Sequence, residues 1–193
     1  MAPDRVIVVD DGAKAGCAGL DGVVWLQGIK PFVFARNVNL AVQWAGTDVV
    51  LLNDDAVLET LRGFSALAEE ARRSPSLGIL SAAVRGGVGN PNQLWKGDGA
   101  TRPEARRLSF VCVYIKAQAF AAVGLLDERY TGYGYEDDDF CLRILRVGMG
   151  LGVFDGCLVD HSRPEASTFR TRPDLLRLSE ENRATFERQW GAP

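Results

Sequence analysis

Four consecutive carboxylates, Glu136–Asp139, follow the glycine- and tyrosine-rich segment 132–135. Charges of one sign this close repel one another, so a sequence selected for stability alone rarely contains such a run. The residues that follow place Phe140, Ile144 and Val147 on one helical face. The acids are therefore predicted to form the first turn of a helix, where the backbone dipole partly offsets their repulsion. Since successive helical side chains point about 100° apart, this pattern favours a site that holds a base and a polar ligand side by side.

The same acids also have a structural interpretation. Carboxylates are common at helix starts as caps and dipole partners. Asp139 precedes Arg143 by four residues, in the favourable order for an ion pair, and we assign it to that role. Asp137 and Asp138 directly follow the flexible glycine-aromatic segment, and we assign them to function.

Composition narrows the class of protein. A chain of 193 residues with 47% hydrophobic residues suits one soluble globular domain. The net charge of −3 argues against a nucleic-acid-binding protein, because phosphate contacts require a basic face. No apolar run is long enough to span a membrane, and the start of the chain lacks the apolar core of a signal peptide. We therefore expect a cytoplasmic protein without a transmembrane segment.

Strand-like and helical patterns alternate along the chain, which predicts an α/β fold with a mostly parallel central sheet and helices on both faces. The predicted strands are Arg5–Val9, Val23–Leu26, Val49–Leu52, Leu77–Val84, Ser109–Lys116 and Leu151–Asp160. The predicted helices are Phe34–Trp44, Val57–Arg73, Ala117–Val123, one that begins at Glu136, and Ser179–Trp190. Segment 85–107 is predicted to be a long loop over one edge of the sheet, which is typical of functional or mobile segments.

Polar side chains follow three of these strands: Asp10-Asp11, Asn53-Asp54-Asp55 and His161. Asp and Asn also end strands because they favour turns, and an isolated histidine is normally structural, so each cluster alone says little. The place of His161 after a strand, opposite the strand end at Asp10-Asp11, weighs the structural and the ligand role equally. Ligands gather at the carboxyl ends of strands in such sheets. Carboxylate oxygen together with imidazole suits Mn²⁺ or Mg²⁺.

Taken together, these segments resemble a known family over roughly residues 5–165. Asp10-Asp11-Gly12, the segment 35–39 and the segment 51–55 resemble the nucleotide-sugar half of GT-A glycosyltransferases. The segments 123–128, 135–139 and 141–143 resemble the acceptor half of the inverting bacterial family 2, which includes rhamnosyltransferase-like enzymes. The Gly-x-Gly-x-Glu-Asp-Asp-Asp run at 132–139, with Arg143, Gly148-Met149 and His161-Ser162-Arg163, is similar to β1,4-galactosyltransferases.

The resemblance implies a single GT-A domain over 1–193, with a donor-nucleotide half at 1–84, an acceptor and catalytic half at 85–165, and a C-terminal tail and helix at 166–193. It implies an inverting, metal-dependent hexosyltransferase. Such an enzyme moves a sugar from a nucleotide-diphosphate sugar, here expected to be a UDP-sugar, to a hydroxyl of a glycan, lipid or protein. Association with a membrane through a lipid-linked acceptor, and an oligomer, are both compatible with the sequence.

The resemblance also implies a role for each site residue. Asp55, the last acid of the D-x-D motif, and His161 match the ligands of Mn²⁺ or Mg²⁺. Asp137 matches the general base, and Asp138, Tyr133 and Glu136 match the acceptor-binding residues. The donor-binding residues would be Asp10, Asp11, Arg36, Asn37, Asn53 and Asp54.

The chain departs from the family pattern at two points. Asn53 stands where the D-x-D motif has its first Asp. Family members usually carry a further strand and helix before the segment that matches Val6–Asp11, so we expect an N-terminally short domain. Either the fold is minimal or a partner chain completes the nucleotide pocket. Two other functions remain open: a nucleotidyl- or phosphoryl-transfer enzyme, and a non-catalytic nucleotide-sugar-binding or assembly protein.

Overall fold

The computed structural model describes residues 5–12, 21–162 and 173–191, so Cys17 and Arg163 lie outside the described residues. The strands of the described part are β1 (Val6–Asp10), β2 (Val23–Gln27), β3 (Val49–Leu52), β4 (Val57–Leu58), β5 (Leu77–Gly86), β6 (Thr101–Glu104), β7 (Cys112–Ile115) and β8 (Gly150–His161). Its helices are α1 (Phe34–Ala45), α2 (Gly63–Arg73), α3 (Ala117–Val123), α4 (Glu136–Arg146) and α5 (Pro173–Trp190).

The central sheet has the order β3-β7-β5-β8-β4, and β6 also pairs with β8. The predicted α/β class is confirmed, but the prediction of a mostly parallel sheet is wrong. In this sheet β5 and β8 pair in parallel, whereas β7 runs antiparallel between β3 and β5, and β4 and β6 run antiparallel to β8. Neighbouring parallel strands need a long crossover, usually a helix, and the chain between β5 and β7 contains only a 3₁₀ turn and β6.

Helices cover both faces of this sheet, as predicted. Helices α1, α3 and α4 form one apolar layer with the sheet, and α2 forms the other. Along β7, Val113 and Ile115 face the first layer while Cys112 and Tyr114 face the second. A strand buried on both sides reads as a continuous apolar run, which is why β7 lacks an alternating pattern.

The predicted helix Val57–Arg73 is in fact the short strand β4 followed by α2. Arg62 has a left-handed φ of 58°, which interrupts any helix at that point. A Cβ on Gly63 would lie 2.7 Å from Leu58 Cδ1 and 3.0 Å from Cys157 Sγ, so any larger residue there would force these side chains to shift. The apolar spacing fits either one long helix or a strand followed by a helix, and the pairing of β4 with β8 decides for the second.

Two predicted helix limits also need correction. Helix α4 begins at Glu136 as predicted and buries Phe140 and Ile144, but it ends at Arg146 and leaves Val147 half-exposed. Helix α5 begins at Pro173, so Ser179 lies inside the helix and does not cap it.

Segment 85–107 is more ordered than the predicted loop. It contains a 3₁₀ turn at Pro91–Gln93 and strand β6. The buried carboxylate of Asp155 on β8 accepts hydrogen bonds from the backbone N–H groups of Lys96 (2.8 Å) and Asp98 (2.9 Å) and from Arg102 Nη1 (3.0 Å). Burial alone would raise the pKa of Asp155, but these donors outweigh it and lower the pKa below its ordinary value.

Replacing Asp155 with Ala is expected to lower the free energy of unfolding by about 3–5 kcal/mol, because Arg102 would lose its carboxylate in a partly buried place. Denaturant unfolding measures this loss. Asp98→Ala is the matched control: in the described part of the chain the Asp98 side chain only accepts an exposed local bond from the Ala100 N–H, and the variant keeps the backbone N–H that donates to Asp155. Equal loss in both variants would show that Asp155 does not hold the segment.

Candidate functional site

Asp55 and His161 lie side by side at the ends of β3 and β8. Asp55 Oδ1 is 3.1 Å from His161 Nε2. His161 Nδ1 bonds to the carbonyl oxygen of Gly87, which can only accept, so Nδ1 carries the proton. Nε2 then faces the Asp55 carboxylate. A carboxylate oxygen with an imidazole nitrogen is a donor set that fits Mn²⁺.

This pair leaves room for other ligands. The side chains of Asp55 and His161 are 13% and 21% exposed. The part of the chain that the structure describes contains no group of three His, Cys, Asp or Glu residues that could hold a metal ion. Any cation held by Asp55 and His161 would therefore complete its coordination with ligand or water oxygens.

The acids after β1 lie near those after β3. Burial, then the charges of Asp55 and Asp11, raises the pKa of Asp54. Asp11 also pairs with Lys30 at 3.6 Å. Asp10 accepts from the N–H of Gly12 at 2.9 Å and so shapes the turn after β1. The structure thus places Asp11, which follows β1, close enough to Asp54 for their charges to interact, although β1 and β2 form a separate two-stranded sheet.

Arg36 and Asn37 of α1 make other contacts. Arg36 Nε lies 3.3 Å from Glu128 Oε2, and Asn37 Oδ1 accepts from the N–H of Ile29 at 3.4 Å. The buried Asn39, which the sequence analysis missed, bonds to both backbone groups of Leu126. These bonds tie α1 to neighbouring segments, so the donor role of Arg36 and Asn37 stays a prediction.

Asp137 lies in the first turn of α4, after a residue with left-handed backbone, Tyr135 (φ 73°). The N–H of Asp138 donates to Asp137 Oδ1 at 2.9 Å, and the N–H of Phe110 also bonds to this carboxylate. Burial, followed by the charge of Asp138, raises the pKa of Asp137 to about 7. A carboxyl group that titrates near neutrality is suited to accept a proton during catalysis.

The flanking acids differ from Asp137 in their surroundings. Glu136 is 2% exposed, and its Oε2 has no hydrogen-bond partner among the described residues. Burial and then the charge of Asp137 raise the pKa of Glu136 well above its ordinary value. Burial also raises the pKa of Asp138, although the Arg107 guanidinium 3.5 Å away opposes the shift. Arg107 is a site residue that sequence reasoning missed.

Tyr133 joins the two clusters into one site. Its hydroxyl accepts from Asn53 Nδ2 at 3.4 Å, and its ring packs edge-on against Phe34 with centroids 5.2 Å apart. Burial raises the pKa of Tyr133, and so do the charges of Asp137, Glu136 and Asp55. Asn53 Oδ1 is buried without a partner in the described part of the chain, as is Glu136 Oε2. An unpaired buried acceptor such as Asn53 Oδ1 can be satisfied by a bound group that offers a donor.

Asp139 is structural, as predicted. Its buried carboxylate accepts from Arg143 Nε at 2.8 Å. It also accepts from Gln189 Nε2 at 3.0 Å and Trp190 Nε1 at 2.9 Å, which ties α4 to α5. The spacing of Asp139 and Arg143 indicates the ion pair, but no local pattern indicates the bonds to α5.

Comparison with solved structures identifies the fold. GalNAc-T7, solved with UDP, GalNAc and Mn²⁺, superposes with a TM-score of 0.64 at 12% identity over 82% of this chain. TarS of S. aureus, residues 1–349, gives a TM-score of 0.60 at 17% identity over 97% of this chain. The chain has the GT-A glycosyltransferase fold. It spans 37% of the GalNAc-T7 chain and 64% of the TarS chain.

Comparison with models of protein families matches a shorter segment of the chain. A family model described as the N-terminal domain of galactosyltransferase matches residues 109–168, which include Asp137 and His161. A search of curated protein sequences gives no significant match. None of the helices described in the GT-A fold of this chain has the length and apolar character needed to cross a membrane.

Proposed function

We propose that the protein is a metal-dependent inverting glycosyltransferase. It would transfer a hexosyl group from a UDP-sugar to a hydroxyl of a glycan, lipid or protein. The observation that carries this proposal is the position of Asp137: a carboxyl with a pKa of about 7 lies at a helix start, linked through Tyr133 to the Asp55–His161 pair. The GT-A fold and the galactosyltransferase match over 109–168 support it.

On this proposal, the residues after β1 and β3 bind the donor. Asp10 and Asp11 would hold the nucleoside, with Arg36, Asn37, Asn53 and Asp54 on the same side. Asp55 and His161 would hold Mn²⁺ or Mg²⁺. When bound, such a cation neutralises the diphosphate and stabilises it as a leaving group. We accordingly assign residues 1–84 to the donor half and 85–165 to the acceptor and catalytic half.

The acceptor would lie against α4. Asp138 and Glu136 would bind its hydroxyl groups, and the ring of Tyr133 would pack on an apolar sugar face. Asp137 would take the proton of the attacking hydroxyl as its oxygen bonds to the anomeric carbon. The bond from that carbon to the diphosphate oxygen breaks, and its electron pair leaves with the diphosphate. Attack from the face opposite to the leaving group inverts the anomeric configuration.

Release of nucleoside diphosphate from a panel of nucleotide sugars tests this function. We expect release from one donor with Mn²⁺ or Mg²⁺, stimulated by acceptor, and none with EDTA. Release of pyrophosphate or phosphate instead would indicate nucleotidyl or phosphoryl transfer. Binding of a nucleotide sugar without turnover would indicate a binding or assembly protein.

A further inference from the structure

One face of helix α5 covers the segment that leads into α4. Asn182, Phe186, Gln189 and Trp190 recur at helical spacing along this face. Phe186 packs against the Tyr135 ring with centroids 5.4 Å apart, and the last two residues bond to Asp139. Helix α5 therefore contacts the chain on both sides of Asp137.

Asn182 holds the backbone of this segment with both ends of its amide group. It is 2% exposed. Its Oδ1 accepts from the N–H of Thr131 at 3.0 Å, and its Nδ2 donates to the carbonyl oxygens of Thr131 and Gly134, both at 2.9 Å. Nδ2 also lies 3.5 Å from the carbonyl oxygen of Tyr133. A single buried side chain thus contacts four backbone groups across four residues.

The segment needs such support because its backbone is unusual. Gly132, Gly134 and Tyr135 all have left-handed φ angles, of 68°, 106° and 73°. Glycine adopts this region freely, but for Tyr135 it costs on the order of 1 kcal/mol. A strained residue persists where its surroundings fix it, and such residues cluster at functional sites. Here the surroundings are Asn182 and Phe186 of α5.

We propose that Asn182 is a positioning residue for sugar transfer. By fixing the backbone from Thr131 to Gly134, it sets where Tyr133 and the first turn of α4 lie, and so where the Asp137 carboxylate meets the acceptor hydroxyl. This inference rests on the proposed function and extends the working site to α5, beyond the segment 109–168 that matches the galactosyltransferase model.

The Asp55–His161 pair should not depend on Asn182. In the described part of the chain, the side-chain hydrogen bonds of Asp55 and His161 are to each other and to Gly87, and none reaches α5. Asn182 does reach the donor side through Tyr133, whose hydroxyl accepts from Asn53 at 3.4 Å. The binding of UDP must therefore be measured separately from transfer in each variant.

The test compares Asn182→Ala and Asn182→Asp with the parent. The Asp variant keeps the acceptor for the Thr131 N–H but loses every bond that Nδ2 donates. Arg183→Gln is the control, because Arg183 is the next residue on α5 and, among the described residues, its side chain pairs only with Glu187 at the surface. Titration with UDP in the presence of Mn²⁺ gives the number of binding sites in each variant. The rate of sugar transfer, measured with the donor that the parent uses, is then divided by this number.

We expect both Asn182 variants to bind UDP as the parent does and to transfer sugar about 100-fold more slowly per site, since a small misplacement of a catalytic group costs about that factor. Arg183→Gln should match the parent. If the total rate falls only in proportion to the number of UDP-binding sites, the rate per site is unchanged and Asn182 is merely structural. Failure of both variants to fold would lead to the same conclusion. Parental rates would also overturn the inference. If the parent neither binds UDP nor transfers sugar, the proposed function itself is wrong. This outcome is distinguished from failure of the inference about Asn182 because it is seen in the parent without any variant.

Discussion

Replacing Asp137 with Asn is expected to slow sugar transfer about 10²–10⁴-fold, the usual contribution of a general base. The amide cannot take the acceptor proton. It is nearly isosteric with the carboxyl group, and its oxygen can still accept from the N–H of Asp138. Binding of UDP with Mn²⁺ should therefore stay at the parental level, because the loss falls on the chemical step.

Initial rates at saturating donor and acceptor measure this effect. Glu69→Gln is the matched control, since Glu69 is an exposed acid on α2 that pairs only with Arg73 at 3.8 Å in the described part of the chain. A rate for Asp137→Asn close to that of Glu69→Gln would show that Asp137 is not the base.

The raised pKa of Asp137 also predicts two pH dependences. The parental rate at saturating substrates should rise with pH and level off above about 7, as the carboxylate forms.

The stability of the parent should change with pH in the opposite direction. The folded state holds this proton up to a pKa of about 7, whereas the unfolded state releases it near 3.8. Between these values the folded state binds more protons, so the parent loses stability as pH rises. Asp137→Asn lacks this loss, and its Tm relative to the parent should increase from pH 4 to pH 7.

Removal of the metal or of its ligands is expected to have the second large effect. EDTA should abolish transfer. His161→Ala and Asp55→Asn should each weaken Mn²⁺ binding in the presence of UDP by at least about 10–100-fold. That range is known for mutations of residues that only hydrogen-bond to a metal ligand, and here the ligand itself is changed. The physical reason is that His161→Ala removes one of the two protein donors, whereas Asp55→Asn replaces the charged donor with a neutral one.

Calorimetric titration of Mn²⁺ into the UDP-bound protein measures this directly, without relying on activity. Excess Mn²⁺ should partly restore the rate of Asp55→Asn, because the amide oxygen remains a weak ligand. Full transfer in EDTA, or parental Mn²⁺ affinity in both variants, would remove Asp55 and His161 from the metal site.

The sequence predicted those parts of the fold that local patterns determine. Strand β3 and helix α3 have the predicted limits, and α4 begins at Glu136 as its acids and periodicity indicate. The antiparallel course of β7 was missed because strand direction depends on pairing with β3 and β5, which no local pattern encodes. Strand β4 was missed for the same reason, since its pairing with β8 overrides a helical spacing.

For the candidate site, the sequence identified residues whose chemistry is visible in their type and order. Asp55 and His161 are 106 residues apart, yet both follow strands, and the structure brings them within 3.1 Å. Side chains that support the site were missed. Asn182 and Asp155 are ordinary polar residues inside a helix and a strand, and their roles appear only once the backbone groups they bind are in place.

The most direct test of inverting transfer by Asp137 is the structure of the reaction product. The donor identified by diphosphate release is incubated with its acceptor and Mn²⁺, and the product is examined by mass spectrometry and proton NMR. The account predicts an intact hexose joined to the acceptor hydroxyl with inverted anomeric configuration, and no such product from Asp137→Asn. A product with retained configuration, or one that carries a phosphate from the donor, would contradict it.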